Sequence, residues 1–214
     1  VLLSGETNQI YTATTSGSYT VIVTALGCPS LVSAATAVTV NAVTVIDVQP
    51  VGGAICPGGS ILLSVTATGT NLHYQWKLGV DDVGSDQNSY LATAAGTYSV
   101  IVIGECGTEI SADAVVTVNT VTAIDMQPVG GAICPGGNIL LSVTASGTNL
   151  HYQWKKDGNN VGSDQNNYSA TSTGTYTVVV TGDCGTVTSD DAVVTITTYT
   201  ITATAGANGT IAPG

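Results

Sequence analysis

Apolar and polar residues alternate along most of this chain with a period of two, the pattern of strands that bury one face and wet the other. Ser60–Ala67 sets Ile61, Leu63 and Val65 on one side and Ser64 and Thr66 on the other. Leu72–Lys77 sets Leu72, Tyr74 and Trp76 against His73, Gln75 and Lys77. Further strands are predicted at Ser89–Thr93, Thr97–Ile103 and Ala114–Val118, with an opening strand at Ile46–Val51 that Pro50 marks as an edge. Gly79–Asp82 and its counterpart Asp157-Gly158-Asn159-Asn160 have the composition of turns. No stretch keeps a helical period long enough for a helix. About seven strands in a 78-residue period is the density of an antiparallel β-sandwich.

The period itself is visible. Ile46–Thr120 and Ile124–Thr198 align without a gap at an offset of 78 residues, and roughly seven in ten paired positions are identical. Residues 1–43 match the back half of the same unit, with Gly5, Tyr11, Gly17 and Tyr19 on Gly84, Tyr90, Gly96 and Tyr98, and Cys28 on Cys106 after one inserted residue. The expected domains are therefore a half repeat at 1–43, complete repeats at 44–121 and 122–198, and the start of a further β-module at 199–214. Half a sandwich leaves its core face bare, so other strands, from the same polypeptide or another chain, are expected to complete it. The chain also lacks an initiator Met, and a natural N-terminus upstream is expected. No Gly/Ser-rich or Pro-rich spacer separates the repeats, which predicts closely coupled neighbours and a stiff string.

Charge narrows the partners. Fourteen acidic residues face only Lys77, Lys155 and Lys156, a net charge of −11, and both nucleic acid and anionic lipid require clustered Lys and Arg. The acids are dispersed and read as a solvated surface. Mean hydropathy is positive, but apolar runs such as Ile61-Leu62-Leu63 break far short of the ~20 residues of a membrane span.

Candidate chemistry is sparse. His73 and His151 sit alone on the polar face of a strand, with no catalytic arrangement evident around them, so no enzyme is expected. Asp81-Asp82 becomes Asn159-Asn160 in the other copy, which argues against a strict carboxylate role. Asp47, Asp125, Asp113 and Asp191 do recur near domain ends and, with backbone carbonyls, are weak Ca²⁺ candidates; no other cofactor or metal is expected. Lys77 and Lys155 point away from the predicted core, which counts against an isopeptide bond. The cysteines have neither C-x-x-C spacing nor a nearby His, so disulfides are favoured over a metal, and with them an oxidising compartment. Asn167-Tyr168-Ser169 and Asn208-Gly209-Thr210 fit the N-glycosylation pattern.

Four stretches, ICPGGSILLSVTATG, HYQWKLG, ATAAGTYSVIV and GECGTEISADAVVTV, carry a family resemblance. They are similar to the immunoglobulin-like modules strung along very large secreted and surface proteins of Bacteroidetes-type bacteria. The tail, TITATAGANGTIAPG, resembles the start of another β-repeat found in similar proteins. The resemblance implies an all-β chain of tandem immunoglobulin-like antiparallel sandwiches, end to end. It places Trp76 and Trp154 as the central core indoles and Tyr98 and Tyr176 as tyrosine corners. Val100 and Val178 stand where an antibody domain has its second core cysteine. The implied disulfides are Cys56–Cys106 and Cys134–Cys184, each closing about fifty residues and worth ~4 kcal/mol in the chain-entropy picture, with Cys28 bonded outside this chain.

The function that follows is structural: a stiff, disulfide-clamped part of a bacterial surface adhesin, stalk or filament at the cell exterior. Its partners are further domains or other protein chains, and cell-surface glycans. One alternative is a pilus-like subunit completed by a neighbour's strands. Another is a carbohydrate-binding appendage of a secreted enzyme, for which Tyr90, Tyr168 and Tyr199 are the unassigned aromatics.

Overall fold

The computed structural model describes residues 7–199, which contain strands, turns and loops and no helix. The half repeat contributes β1 (Gly17–Tyr19), β2 (Thr24–Ala25), β3 (Cys28–Pro29) and β4 (Thr36–Val38). The first complete repeat runs β5 (Val45–Val48), β6 (Gly53–Ile55), β7 (Ile61–Ser64), β8 (Thr66–Thr68), β9 (His73–Leu78), β10 (Asp81–Val83), β11 (Ser89–Ala92), β12 (Gly96–Gly104), β13 (Gly107–Ile110) and β14 (Ala114–Val118). The second repeats the series: β15 (Ala123–Met126), β16 (Gly131–Ile133), β17 (Ile139–Ser142), β18 (Thr144–Ser146), β19 (His151–Lys156), β20 (Asn159–Val161), β21 (Asn167–Ala170), β22 (Gly174–Gly182), β23 (Gly185–Thr188) and β24 (Ala192–Ile196).

By contacts the described residues fall into two units. One runs to Gly52 and adds Leu62–Ala92 and Gly96–Val115; the other takes Gly53–Ile61, Thr93–Ala95 and the described chain from Val116 on. Of the expected tail module at 199–214, all but Tyr199 lies outside the described residues.

The second unit shows the sandwich whole. Its larger sheet runs β16-β24-β22-β19-β20, with β23 folded back on β22. The other layer pairs β17 with β21 and β15 with β18. The strand expected to run unbroken, the counterpart of Ser60–Ala67, divides at Val143, whose N–H bonds the Asn166 carbonyl at 2.9 Å. Its two halves thereby serve different partners. Between the layers lie Leu141, Val143, Trp154, Ala170, Tyr176, Val178, Val180, Ala192 and Val194, which are the inward positions of the period-two pattern.

Two features were not in the pattern. β23, which no predicted strand covered, folds back on β22 as a hairpin. More consequentially, β16 joins β24 in parallel, with Gly131 opposite Val194 and Ile133 opposite Ile196. That approach requires glycine: a Cβ on Gly130 would stand 2.1 Å from the Val193 carbonyl oxygen.

The first unit keeps the register. β9 pairs with β10 and β12, setting Trp76 opposite Val83 and Val100. Leu63, Val65, Trp76, Tyr98, Val100 and Val102 are buried as their counterparts are. In the half repeat, β1 pairs with β4 and β2 with β3. There Val21 and Val23 are 58% and 62% exposed, whereas Val100 and Val102 at the equivalent positions are fully buried.

Candidate functional site

The structure corrects the expected disulfides. Cys56 bonds Cys184, with a Cα–Cα distance of 5.4 Å and 128 residues between them, and Cys28, Cys106 and Cys134 are free and exposed. Neither Cys56–Cys106 nor Cys134–Cys184 forms. The reason is the parallel strand. In the second unit Cys134 follows Ile133, which is opposite Ile196, and two residues back Val194 is opposite Gly174, the first residue of β22. Cys184 lies past Gly182, the last residue of β22. Nine residues of strand at ~3.3 Å rise put the two cysteines roughly 25 Å apart, far beyond the ~7 Å limit between bonded Cα atoms. A repeat's two cysteines thus sit at opposite ends of it, and the bond joins the first cysteine of one repeat to the second cysteine of the next.

That bond is seated in a polar junction within the second unit. The Thr122 N–H donates to the Cys184 carbonyl at 3.3 Å and the Asp183 N–H to the Thr148 carbonyl at 3.0 Å. The Thr148 hydroxyl accepts from Thr120 N–H at 3.0 Å. The Asp183 carboxylate accepts from Asn119 at 3.1 Å and from Asn149 at 2.8 Å. Thr122 itself is buried.

The first unit holds the same junction 78 residues earlier. Thr44 N–H donates to the Cys106 carbonyl at 3.3 Å, and Glu105 N–H to the Thr70 carbonyl at 3.0 Å. Ala42 N–H donates to the Thr70 hydroxyl at 2.9 Å. The Glu105 carboxylate accepts from both Asn41 and Asn71. Glu105 stands in the place of Asp183 and Ala42 in that of Thr120, and Cys106, unlike Cys184, is unbonded.

A second arrangement, absent from the sequence reading, is a His–Asp pair in each complete repeat. His73 Nδ1 is 2.6 Å from the Asp86 carboxylate, and His151 Nδ1 is 2.7 Å from that of Asp164. The lone strand histidine is therefore partnered. The other oxygen of Asp86 accepts the Tyr74 N–H at 2.7 Å, while the next two residues bind the core: Trp76 Nε1 donates to the Gln87 carbonyl at 3.0 Å and Val65 N–H to that of Asn88 at 2.9 Å. The segment Asp86–Asn88 thus clasps β9 to the break between β7 and β8 at Val65, and the His completes it. Beside it lie two shallow depressions, one of about 490 Å³ lined by Asn71, Leu72, His73, Ile103, Gly104 and Glu105, the other lined in part by Tyr74 and Asp86.

The hydrogen bond from His73, and after it the Tyr74 N–H, holds the Asp86 carboxyl below its ordinary 3.8; His151 and Tyr152 do the same for Asp164. A lowered carboxyl pKa stabilises the fold above the ordinary value, and that contribution is lost as pH falls below it. The ¹³C titration of the Asp86 carboxyl is expected to have its midpoint below 3.8 and to move up toward it in His73→Ala. An unchanged midpoint would remove His73 from the clasp.

The remaining candidates disperse. Asp47, Asp113, Asp125 and Asp191 are all exposed, Asp125 accepting from the Ser146 hydroxyl at 3.1 Å. Among the described residues no three His, Cys, Asp or Glu side chains converge as a metal site would require. Lys77 pairs with Asp82, while Lys155 faces Asn160 in the other copy. Tyr90 stacks on Trp76 at 6.1 Å and tilts against Tyr98 at 5.7 Å, and Tyr168 does the same with Trp154 and Tyr176. Beneath Tyr168, Gly162 has φ +73 and a Cβ there would meet the ring at 2.8 Å. Those two rings thus brace the core indoles; Tyr199 is exposed. Trp76 and Trp154 are fully buried, and Tyr176 donates its hydroxyl to the Ser172 carbonyl at 2.9 Å, four residues back, the geometry of a tyrosine corner. Asn167 is exposed on β21; Asn208 lies outside the described residues. No helix among the described residues is long and apolar enough to cross a membrane.

No protein-family model and no curated protein matches the chain in sequence. In fold it is similar to immunoglobulin tandems. Sidekick-1 immunoglobulin domains 1–4 superpose with a TM-score of 0.60 at 14% identity, over 88% of this chain and 60% of that one. An E-to-A variant of titin domains I67–I69 gives 0.58 at 14% identity, over 72% and 66%. Extracellular domains 3–5 of Drosophila OTK give 0.55 at 16%, over 86% and 72%. The chain thus spans two thirds or less of the Sidekick-1 and titin fragments. The fold is an all-β tandem of immunoglobulin-like sandwiches.

Proposed function

We propose that this chain is a load-bearing segment of a secreted or surface-displayed bacterial repeat protein. It spans distance, presents adhesive surface and performs no chemistry of its own. The observation that carries this reading is the Cys56–Cys184 bond. A disulfide within one sandwich secures that sandwich alone, whereas one that joins successive repeats secures the string. It also requires an oxidising compartment, which supports an extracellular location. The CPGGS, YQW and GTY motifs support the bacterial setting by resemblance. The immunoglobulin-tandem fold is compatible with many roles, so the reading rests on the staple rather than on the architecture.

Antibody raised against this chain is expected to label intact, unpermeabilised cells of the source organism, with gold particles set out from the envelope on projections. Labelling that appears only after permeabilisation would overturn the proposal.

A further inference from the structure

We propose that the β1–β4 sheet and Cys106 form the receiving half of a second staple. The sheet takes the front half of another repeat of this sequence type, seating its Gly-Ala-Ile-Cys strand parallel to β4, and the cysteine on that strand bonds Cys106 as Cys56 bonds Cys184. The inference rests on the stapled-repeat reading and names the partner of its open site.

Three independent features point the same way. The first is the strand edge. β24 carries β16 in parallel along Val194, Thr195 and Ile196, and β14 carries β6 along Val116, Thr117 and Val118. The equivalent positions after β4 begins are Val38, Thr39 and Val40. Among the described residues β4 pairs with β1 alone, so its other edge presents a ladder that both of its counterparts have filled. The second feature is the face. Val21 and Val23 are more than half exposed, whereas their counterparts in the complete repeat, Val100 and Val102, are fully buried. Taking apolar side chains out of water is favourable, so the bare face favours an occupant of the same shape. The third is the junction. The hydrogen bonds that seat Cys184 are all reproduced around Cys106, and the Cys106 thiol is exposed and unbonded. The occupant is identified by what fills the same place elsewhere in this molecule.

The test presents the intact chain with a twelve-residue peptide of the Gln49–Ser60 sequence, QPVGGAICPGGS, activated as a mixed disulfide with an aromatic thiol. The Cys106 thiolate attacks the peptide sulfur; the new S–S bond forms as the old one breaks. The aromatic thiolate leaves, and the Cys106 proton passes to solvent. Capture at Cys28, Cys106 and Cys134 is read by proteolytic mass mapping against a control peptide with Pro-Pro in place of Ala-Ile, which cannot donate to a β-ladder. Docking raises the local concentration of the peptide sulfur, so capture at Cys106 is expected to run about tenfold faster than at the other two thiols. The preference should disappear with the proline peptide. Equal rates at all three thiols, or a Cys106 preference that survives the proline peptide, would overturn the proposal. Neither outcome bears on where the protein resides, which the labelling experiment decides separately.

Discussion

Pulled from its two ends, the chain is expected to lengthen by roughly 430 Å more when Cys56–Cys184 is reduced than when it is intact, taking ~3.4 Å per extended residue over the 128-residue span. In the oxidised chain, force passes from Cys56 through the sulfurs to Cys184. The residues between them can lose their fold, yet they add nothing to the length. Reduction, or Cys56→Ser, returns them to the line of force. The alternative pairing has a different signature. Two bonds within repeats would hide about fifty residues each, giving two increments of roughly 170 Å. Single-molecule extension with and without a phosphine reductant separates the two. A pair of short increments, or no difference between the states, would overturn the pairing and the load-bearing role with it. The same bond closes a loop long enough to destabilise the unfolded chain by ~5 kcal/mol in the chain-entropy model. Chemical denaturation of the reduced protein should therefore begin at a lower denaturant concentration.

Trp154→Ala is expected to cost ~3–5 kcal/mol, the usual range for deleting a large buried aromatic. The indole is fully buried and packs within the cluster of Leu141, Val143, Tyr176 and Val178. Its Nε1 donates to the Gln165 carbonyl at 3.0 Å, which fastens the clasp carrying Asp164. Tyr168 stacks on its face at 6.1 Å. Removing it opens a cavity, strands a carbonyl and frees a tyrosine ring. Trp154→Phe keeps much of the volume but not the donor, and should lose ~1–3 kcal/mol for the unpaired carbonyl. Domain stabilities are typically ~5–15 kcal/mol, so the alanine variant should leave its repeat largely unfolded on modest warming. Trp76, unaltered in this variant, reports the first repeat by fluorescence during the same urea titration. A loss below ~1 kcal/mol for Trp154→Ala would mean that the indole is not the keystone of the core.

Much of this was legible before any coordinates. The inward positions of the alternation, Leu63, Val65, Trp76, Val100 and Val102, are buried, because a half-buried strand can only sort its side chains by parity. The His–Asp clasp was missed although a signal existed. Asp86 follows His73 by the same interval as Asp164 follows His151, inside the unchanged segment Val83–Asn88 and its copy. Residues 78–82, just before it, all differ between copies. An unchanged polar loop beside a changed turn marks side chains with fixed partners. Tyr90 and Tyr168 were left unassigned for a related reason: parity assigns a face, but not which neighbouring ring occupies it.

The amino-acid pattern alone determined the strand-rich class, the 78-residue period and the turns, because each depends on residues near in sequence or on a periodicity of side-chain direction. The place of the core indoles came from the family resemblance. The cysteine pairing was decided by tertiary structure. A disulfide is governed by a distance of a few ångströms, and that distance depended on one short strand. Had Gly53–Ile55 simply extended the opening edge strand, a bond inside each repeat would have been the economical guess. Its parallel seat along the end of β14 carries Cys56 to the far end of its own repeat instead, within reach of Cys184. Parallel pairing joins segments distant along the chain, and no local pattern of hydrophobic and polar residues encodes which edge such a strand will choose.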